Sequence, residues 1–196
     1  MSHPNEAQSP LERWEARLAA VSGSDVRLAE IPFQAQLDLR ADPADADLIG
    51  RLGAAIGVDL PTIPNRAVSS ADGARHVLWL GPDEWLIVGA PGTAAQTEED
   101  LRAAVGAGRG AVVDVSANRT MLSLAGPLAR GVLETSCSID LHPRVFGPGS
   151  CAQTLVGRAG AILLQVSSEP DYRLLVRPSF AGYLAAWLLD AIEGAR

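Results

Sequence analysis

The residues that could do chemistry in this chain are few and dispersed. Two cysteines, Cys137 and Cys151, have thirteen residues between them, a spacing that matches neither a metal site nor a redox motif. The histidines His3, His76 and His142 are scattered, with no HExxH or comparable pattern. Asp140, His142 and Cys151 are the one set that could converge on a metal ion. His142 lies nine residues before Cys151, which permits a nucleophile–base pair without indicating one. Ser116 and Ser123 lie outside any G-x-S-x-G elbow. Gly106-Ala107-Gly108-Arg109-Gly110 has the glycines of a phosphate cradle but not its place, since a helix precedes it and a strand follows, the reverse of what phosphate binding needs. The expectation is a chain with no catalytic, cofactor-binding or metal residues, whose cysteines are unpaired small hydrophobes.

Two stretches could make contacts instead. The run Asp114, Ser116, Asn118, Arg119, Thr120 reads either as a buried polar seam, with Asp and Asn bonding nearby backbone and Arg119 pairing with an Asp, or as a ligand or partner contact centred on Arg119. His142 and Arg144, in the loop before Cys151, are further contact candidates. Near the N-terminus, Ser9, Pro10 and Glu12 form a helix-start signal, followed by Leu11, Trp14 and Leu18 on one face. That face either folds back on its own domain or, because the break Ser22–Ser24 loosens it, forms an arm docking on another chain with Trp14 as anchor.

The elements that must position these residues read in order. Alternation from Phe33 predicts a strand with Phe33, Ala35, Leu37 and Leu39 inward. Asp42 is read as the cap of a helix that begins at Pro43, buries Leu48, Leu52, Ala55 and Ile56, and stops at Gly57. After the loop holding Pro61 and Pro64 come strands HVLWL and EWLIVGA, joined at Gly81-Pro82-Asp83, then a helix opened by Thr97 and ended by Gly106. The second half repeats the order. Strand TMLSLAG leads to a helix from Pro127 with Leu128 and Val132 inward, then strands near QTLVG, GAILLQVS and DYRLLVR. The last helix is capped by Ser179 and shares Phe180, Leu184, Trp187, Leu188 and Ile192 on one face. Pro82-Asp83-x-x-Leu86-Ile87-Val88 matches Pro170-Asp171-x-x-Leu174-Leu175-Val176 at an offset of 88 residues. The reading is therefore an α+β fold of duplicated βαββα units, antiparallel sheets covered by helices. Residues 1–30 form an arm, 31–110 the first half and 111–196 the second, within one compact domain.

Charge and composition narrow the partners. With a formal net charge of -7 and no lysine among 16 basic residues, the chain is a poor match for nucleic acid or an anionic membrane. MSHPNEAQSP has no basic or apolar region of a signal peptide, and Asp83 and Glu84 interrupt the longest apolar run, so a cytoplasmic location is expected.

The segments LWLGPDEWLIV (Leu78–Val88), VDVSANRT (Val113–Thr120), IDLHPRVFGPGSCAQT (Ile139–Thr154) and YRLLVRPSFAGYLAAWLLDA (Tyr172–Ala191) resemble the gamma subunit family of heterotetrameric sarcosine oxidase, over roughly Ile31 to Ile192. The resemblance implies a fold similar to the folate-binding domain of glycine-cleavage aminomethyltransferases, and a chain that does no chemistry itself. It further implies alpha, beta and delta partner subunits. FAD, covalently attached FMN and NAD belong to the two large subunits, and zinc to delta. The complex oxidises sarcosine to glycine, reduces oxygen to hydrogen peroxide and passes the one-carbon unit to tetrahydrofolate. A gamma-like subunit also occurs in N-methylglutamate dehydrogenases, a first alternative. A stand-alone folate-binding protein of the iron-sulphur maintenance type is a second; those relatives carry Lys-Gly-Cys-x-x-Gly-Gln-Glu, of which Pro148 to Thr154 keeps only Cys151 and Gln153.

Overall fold

The computed structural model describes residues 7–196; His3 and the first residues of the expected arm lie outside the described residues. Among the described residues, ten strands form two five-stranded antiparallel sheets that stack face to face, with helices on both outer surfaces. The first sheet contains β2 (Ala35–Ala41), β3 (Ala67–Ser69), β4 (His76–Gly81), β5 (Glu84–Gly89) and β6 (Gly110–Asp114), in the order β3-β4-β5-β2-β6. The second contains β1 (Arg27–Ile31), β7 (Thr120–Ala125), β8 (Cys151–Val156), β9 (Ala159–Gln165) and β10 (Asp171–Val176), in the order β1-β7-β10-β9-β8. Read from β8 to β1, the second order repeats the first from β3 to β6.

The strand period of two explains the layers. On β2, Leu37 and Leu39 join Val77, Trp85 and Ile87 beneath α2 (Ala46–Ile56) and α3 (Ala94–Val105). On the second sheet, Leu122, Leu124, Leu163, Tyr172 and Leu174 pack under α1 (Glu15–Val21), α4 (Ala129–Glu134) and α5 (Pro178–Gly194). The alternate positions meet between the sheets, where Leu78, Leu86 and Val88 face Met121, Cys151, Ile162, Leu164 and Leu175. No helix among the described residues is long and apolar enough to cross a membrane.

The duplicated α+β order is present, with strand exchange across it. β6 opens the second half of the sequence but pairs with β2 in the first sheet. β1, inside the expected arm, pairs with β7 in the second. Each occupies the edge next to the first strand of a unit, and in each case the strand comes from the other side of that unit's sequence boundary. The N-terminal helix accordingly folds back on its own domain: Leu11 and Leu18 are buried in the outer core of the second sheet, and the Glu30 carboxylate accepts hydrogen bonds from Ser9 and Thr120.

Several element boundaries differ from the sequence reading. α2 starts at Ala46, not Pro43: Asp42 makes an Asx turn to Ala44 N (2.9 Å), and Asp45 caps Leu48 N (2.9 Å). α3 starts at Ala94, so Thr97 and its acids lie inside it, with Thr97 buried. Residues Glu12–Trp14 form a 3₁₀ turn before α1. α5 starts with Pro178 at its first position and Arg177 before it, leaving Ser179 inside the first turn. Phe33 is not inward: it holds φ 59° in the turn before β2 and is 50% exposed. On α5, Leu184, Leu188 and Ile192 face the core while Phe180 and Trp187 are 42% and 39% exposed.

Candidate functional site

Among the described residues, those with chemical potential do not assemble. Cys151 points between the sheets and donates to the Trp79 carbonyl at 3.6 Å; burial pushes its thiol pKa up to about 11, which opposes thiolate formation. Cys137 packs on the opposite face of the second sheet, and both cysteines are free. His142 is on the exposed loop, where its N–H donates to Asp140 Oδ1 (2.8 Å) and its Nδ1 accepts from Arg144 N (3.2 Å). It therefore lies apart from buried Cys151, and His142, Asp140 and Arg144 serve a surface turn. His76 bonds Ser69 Oγ at 2.7 Å, and burial, reinforced by Arg173, lowers its pKa. No three His, Cys, Asp or Glu residues converge among the described residues.

The polar run after β6 is a surface turn rather than a buried seam. Asp114 and Asn118 are exposed, and Asp114 Oδ1 accepts from Ser116 N (2.9 Å) and Ser116 Oγ (2.6 Å). The turn is fastened to β2: Gln36 N donates to Ser116 Oγ (3.0 Å) and Gln36 Nε2 to the Arg119 carbonyl (2.7 Å). Only Thr120 of the run is buried. Arg119 makes no ion pair among the described residues; the four pairs present belong to Arg40, Arg102 and Arg173. Burial and the adjacent Arg177 lower the pKa of Arg119, with Asp38 and Glu84 opposing. Asp38 Oδ1 and Gln36 Oε1, on the same inter-sheet side, are buried and accept no hydrogen bond among the described residues.

Arg119 opens onto a groove of about 540 Å³ lined with Arg177, Ser138, Gln153, Leu155 and Gly160. Sequence reasoning found Arg119 but missed Arg177, Leu155 and Gly160. Strand parity is the signal that would have found them, since Arg177 follows Leu175 on the inter-sheet face as Arg119 precedes Met121. A larger space of about 730 Å³ lies between the N-terminal turns and β1, lined by Leu11, Leu18, Leu28 and Phe33. There the outer edge of β1 is occupied at Leu28 by the Ser22 hydroxyl, which accepts from Leu28 N (3.0 Å) and donates to Leu18 O (2.9 Å), a way of blunting a strand edge. Trp14 packs its indole over Gly182 of α5 and carries Arg17 at 4.6 Å from the ring centroid.

This geometry is a folded scaffold with an open groove holding Arg119 and Arg177 and, among the described residues, no reactive constellation, and comparison with known proteins gives it a lineage. The gamma subunit of sarcosine oxidase from Corynebacterium sp. (strain P-1) is 38% identical over 187 residues, covering 95% of this chain and 90% of that protein. The one from an Arthrobacter species is 39% identical over 186 residues, covering 94% and 89%. Among solved structures, heterotetrameric sarcosine oxidase from Corynebacterium sp. U-96 in complex with pyrrole 2-carboxylate contains a chain that superposes with a TM-score of 0.87 at 36% identity, covering 96% of each chain. The glycine cleavage system aminomethyltransferase T from Bartonella henselae matches at TM-score 0.63 and 14% identity over 88% of this chain and 48% of that one, a likeness of fold. The model of the sarcosine oxidase gamma subunit family matches residues 40–194, and the chain belongs to that family.

Proposed function

We propose that this chain is a non-catalytic subunit of a heterotetrameric sarcosine oxidase, joining alpha, beta and delta subunits and supporting the two large ones. The carrying observation is that the likeness to a chain of the Corynebacterium sp. U-96 complex runs through 96% of both chains. A whole-chain match is what a subunit with the same neighbours requires. In this reading the complex oxidises sarcosine with oxygen and tetrahydrofolate to glycine, 5,10-methylenetetrahydrofolate and hydrogen peroxide. FAD, FMN, NAD and zinc are held by the partner subunits and none by this chain. The buried Cys151 thiol and the separation of His76 and His142 from it support a structural role, and Asp114, Asn118, Arg119, His142 and Arg144, all on or near the surface, are contact residues in this reading. Trp14, half-spent on Gly182, is a secondary one.

Size-exclusion chromatography with light scattering and visible absorbance tests this, on the chain alone and co-expressed with the large subunits. The expected result is a colourless chain alone and a yellow complex with one copy of each subunit, releasing peroxide on addition of sarcosine. A chain that stays apart from the large subunits overturns the reading. A complex that turns over N-methylglutamate instead moves the assignment to that dehydrogenase.

A further inference from the structure

The groove beside Arg119 has an order that strand registers make explicit. Thr120 pairs with Val176, Val176 with Ala161, and Leu155 with Gly160. Continuing the first two ladders by one residue sets Arg119 opposite Arg177 and Arg177 opposite Gly160. Arg119, Arg177, Gly160 and Leu155 therefore form one transverse row across β7, β10, β9 and β8, on the inter-sheet side, at the end of the sheet where the groove opens. Like charges directly opposite across strands are destabilising. Neither guanidinium is in an ion pair among the described residues, while Arg40 binds the nearby Glu84 at 2.9 Å. Asp38 and Glu84 both act on Arg119, Arg40 is shared between Glu84 and Asp83, and the Arg177 guanidinium is left without a carboxylate partner among the described residues. At Gly160 an added Cβ would meet nothing within 4 Å, so the floor between Arg177 and Leu155 is open.

We propose that this row is the seat of a carboxylate side chain, an Asp or Glu of a partner subunit, with the charge between Arg119 and Arg177 and the methylene stem over Gly160 against Leu155. The inference rests on the subunit reading above and names its contact. Guanidinium forks suit a planar carboxylate. A protein source is favoured by the surroundings. Sites for small molecules enclose most of their ligand, whereas Leu155, in the groove wall, is 49% exposed. The helix that starts one residue after Arg177 adds Phe180, Tyr183 and Trp187, which are 42%, 36% and 39% exposed. The β8–β9 hairpin is joined to them, because Arg158 N donates to Tyr183 Oη at 3.1 Å. Arginine with part-exposed aromatic rings is the composition of protein–protein hot spots.

The test measures binding of the purified chain to the complex of the other three subunits, as wild type, Arg177→Gln, Arg119→Gln and Gly160→Val. The valine enters open space and leaves both charges, so it blocks the seat without touching the arginines. The expected result is binding about tenfold or more weaker for each variant, with wild-type affinity falling as salt rises and that of Arg177→Gln falling less. The melting temperature of isolated Arg177→Gln should equal or exceed that of wild type, since a like-charge pair is relieved, and that of Gly160→Val should equal it, since the side chain enters open space; Arg119→Gln also removes the positive charge beside buried Asp38, so it is read by binding at a temperature below its own melting. Variants that bind as well as wild type overturn the proposal and leave the subunit reading standing. A wild-type chain that does not bind at all overturns both. Glutarate that stabilises the isolated wild-type chain but not Arg177→Gln, with assembly unchanged in the variants, overturns the partner source and assigns the seat to a free carboxylate.

Discussion

At the scale of single residues, environment decides what a reactive group does. Cys151 has a pKa of about 11 because it is desolvated between two sheets. At pH 8 roughly one molecule in a thousand then carries the thiolate, against about a tenth for a thiol with the ordinary value near 9. A thiol reagent should therefore label half-buried Cys137 in the native protein and Cys151 only on unfolding; a Cys137→Ser variant that still labels at the native rate would refute this. The same shift has a stability consequence. A group whose folded pKa is raised contributes stability that is complete below its unfolded pKa, near 9, and declines as pH rises through the folded value. Tyr172, also raised by burial, acts in the same direction. Melting measured from pH 8 to 11 should decline less steeply for Cys151→Ala than for wild type, whatever the cost of the variant at pH 8. Trp14 is decided by its neighbours as well. Its indole rests 3.5 Å from the Cβ position of Gly182, so Trp14→Ala should lower stability of the isolated chain by about 1–2 kcal/mol from lost apolar contact. A chemical denaturation curve identical to wild type would return Trp14 to the free-anchor reading.

At the scale of elements, the connection from β7 to α4 shows where the backbone is committed. Gly126 holds φ 113°, and a Cβ there would lie 2.6 Å from the Asp25 carbonyl oxygen; the same oxygen accepts from Leu128 N at 3.0 Å. Gly126→Ala combines a strained backbone with a collision against backbone that is already bonded, and should cost about 2 kcal/mol or more. Gly160→Ala, in open space within a strand, should cost nothing; equal losses at both sites, read by thermal denaturation, would remove the distinction. Elements were legible in the sequence where period and chemistry agreed. Alternation along β2 gave its core face at Ala35, Leu37 and Leu39, and the repeated Pro-Asp turns gave the duplication. Boundaries were legible only where one residue could do the job. Asp42 and Asp45 both bond backbone N–H groups two or three residues on, and nothing local says which bond opens the helix. On α5 the mixed face misled for a different reason: Phe180 and Trp187 are large apolar residues at the same helical spacing as Leu184 and Leu188, and only the tertiary packing leaves them part-exposed. The groove escaped reading because it is a row across four strands, and only the registers align Arg119 with Arg177, Gly160 and Leu155.

At the scale of the whole molecule, the exchanged edge strands decide what can be cut. Sequence pattern divides the chain near residue 110, yet β6 sits in the first sheet and β1 in the second. β1 holds, with respect to β7, the place that β6 holds with respect to β2. β6 follows its unit in sequence, so β1 would do the same if the chain were closed into a ring. The C-terminus lies beside the N-terminal helix, since the Arg196 guanidinium donates to the Val21 carbonyl and α1 packs against α5. Deleting residues 1–31 removes Leu11, Leu18, Val26 and Leu28, each no more than 2% exposed. At roughly 1.5–3 kcal/mol per buried side chain, the loss is comparable to the entire stability of a domain of this size, before the unpaired β7 edge is counted. The truncated chain should therefore lose its cooperative melting transition. A permutant that begins at residue 32 and carries residues 7–31 after Arg196 through a flexible Gly/Ser linker restores every one of those contacts, and it should melt cooperatively within a few degrees of wild type. If the truncated chain melts like wild type, the N-terminal segment is a detachable arm after all. If truncation unfolds the chain and the permutant fails to rescue it, β1 must be made before the second unit can fold, and the order of synthesis becomes part of what the duplicated fold requires.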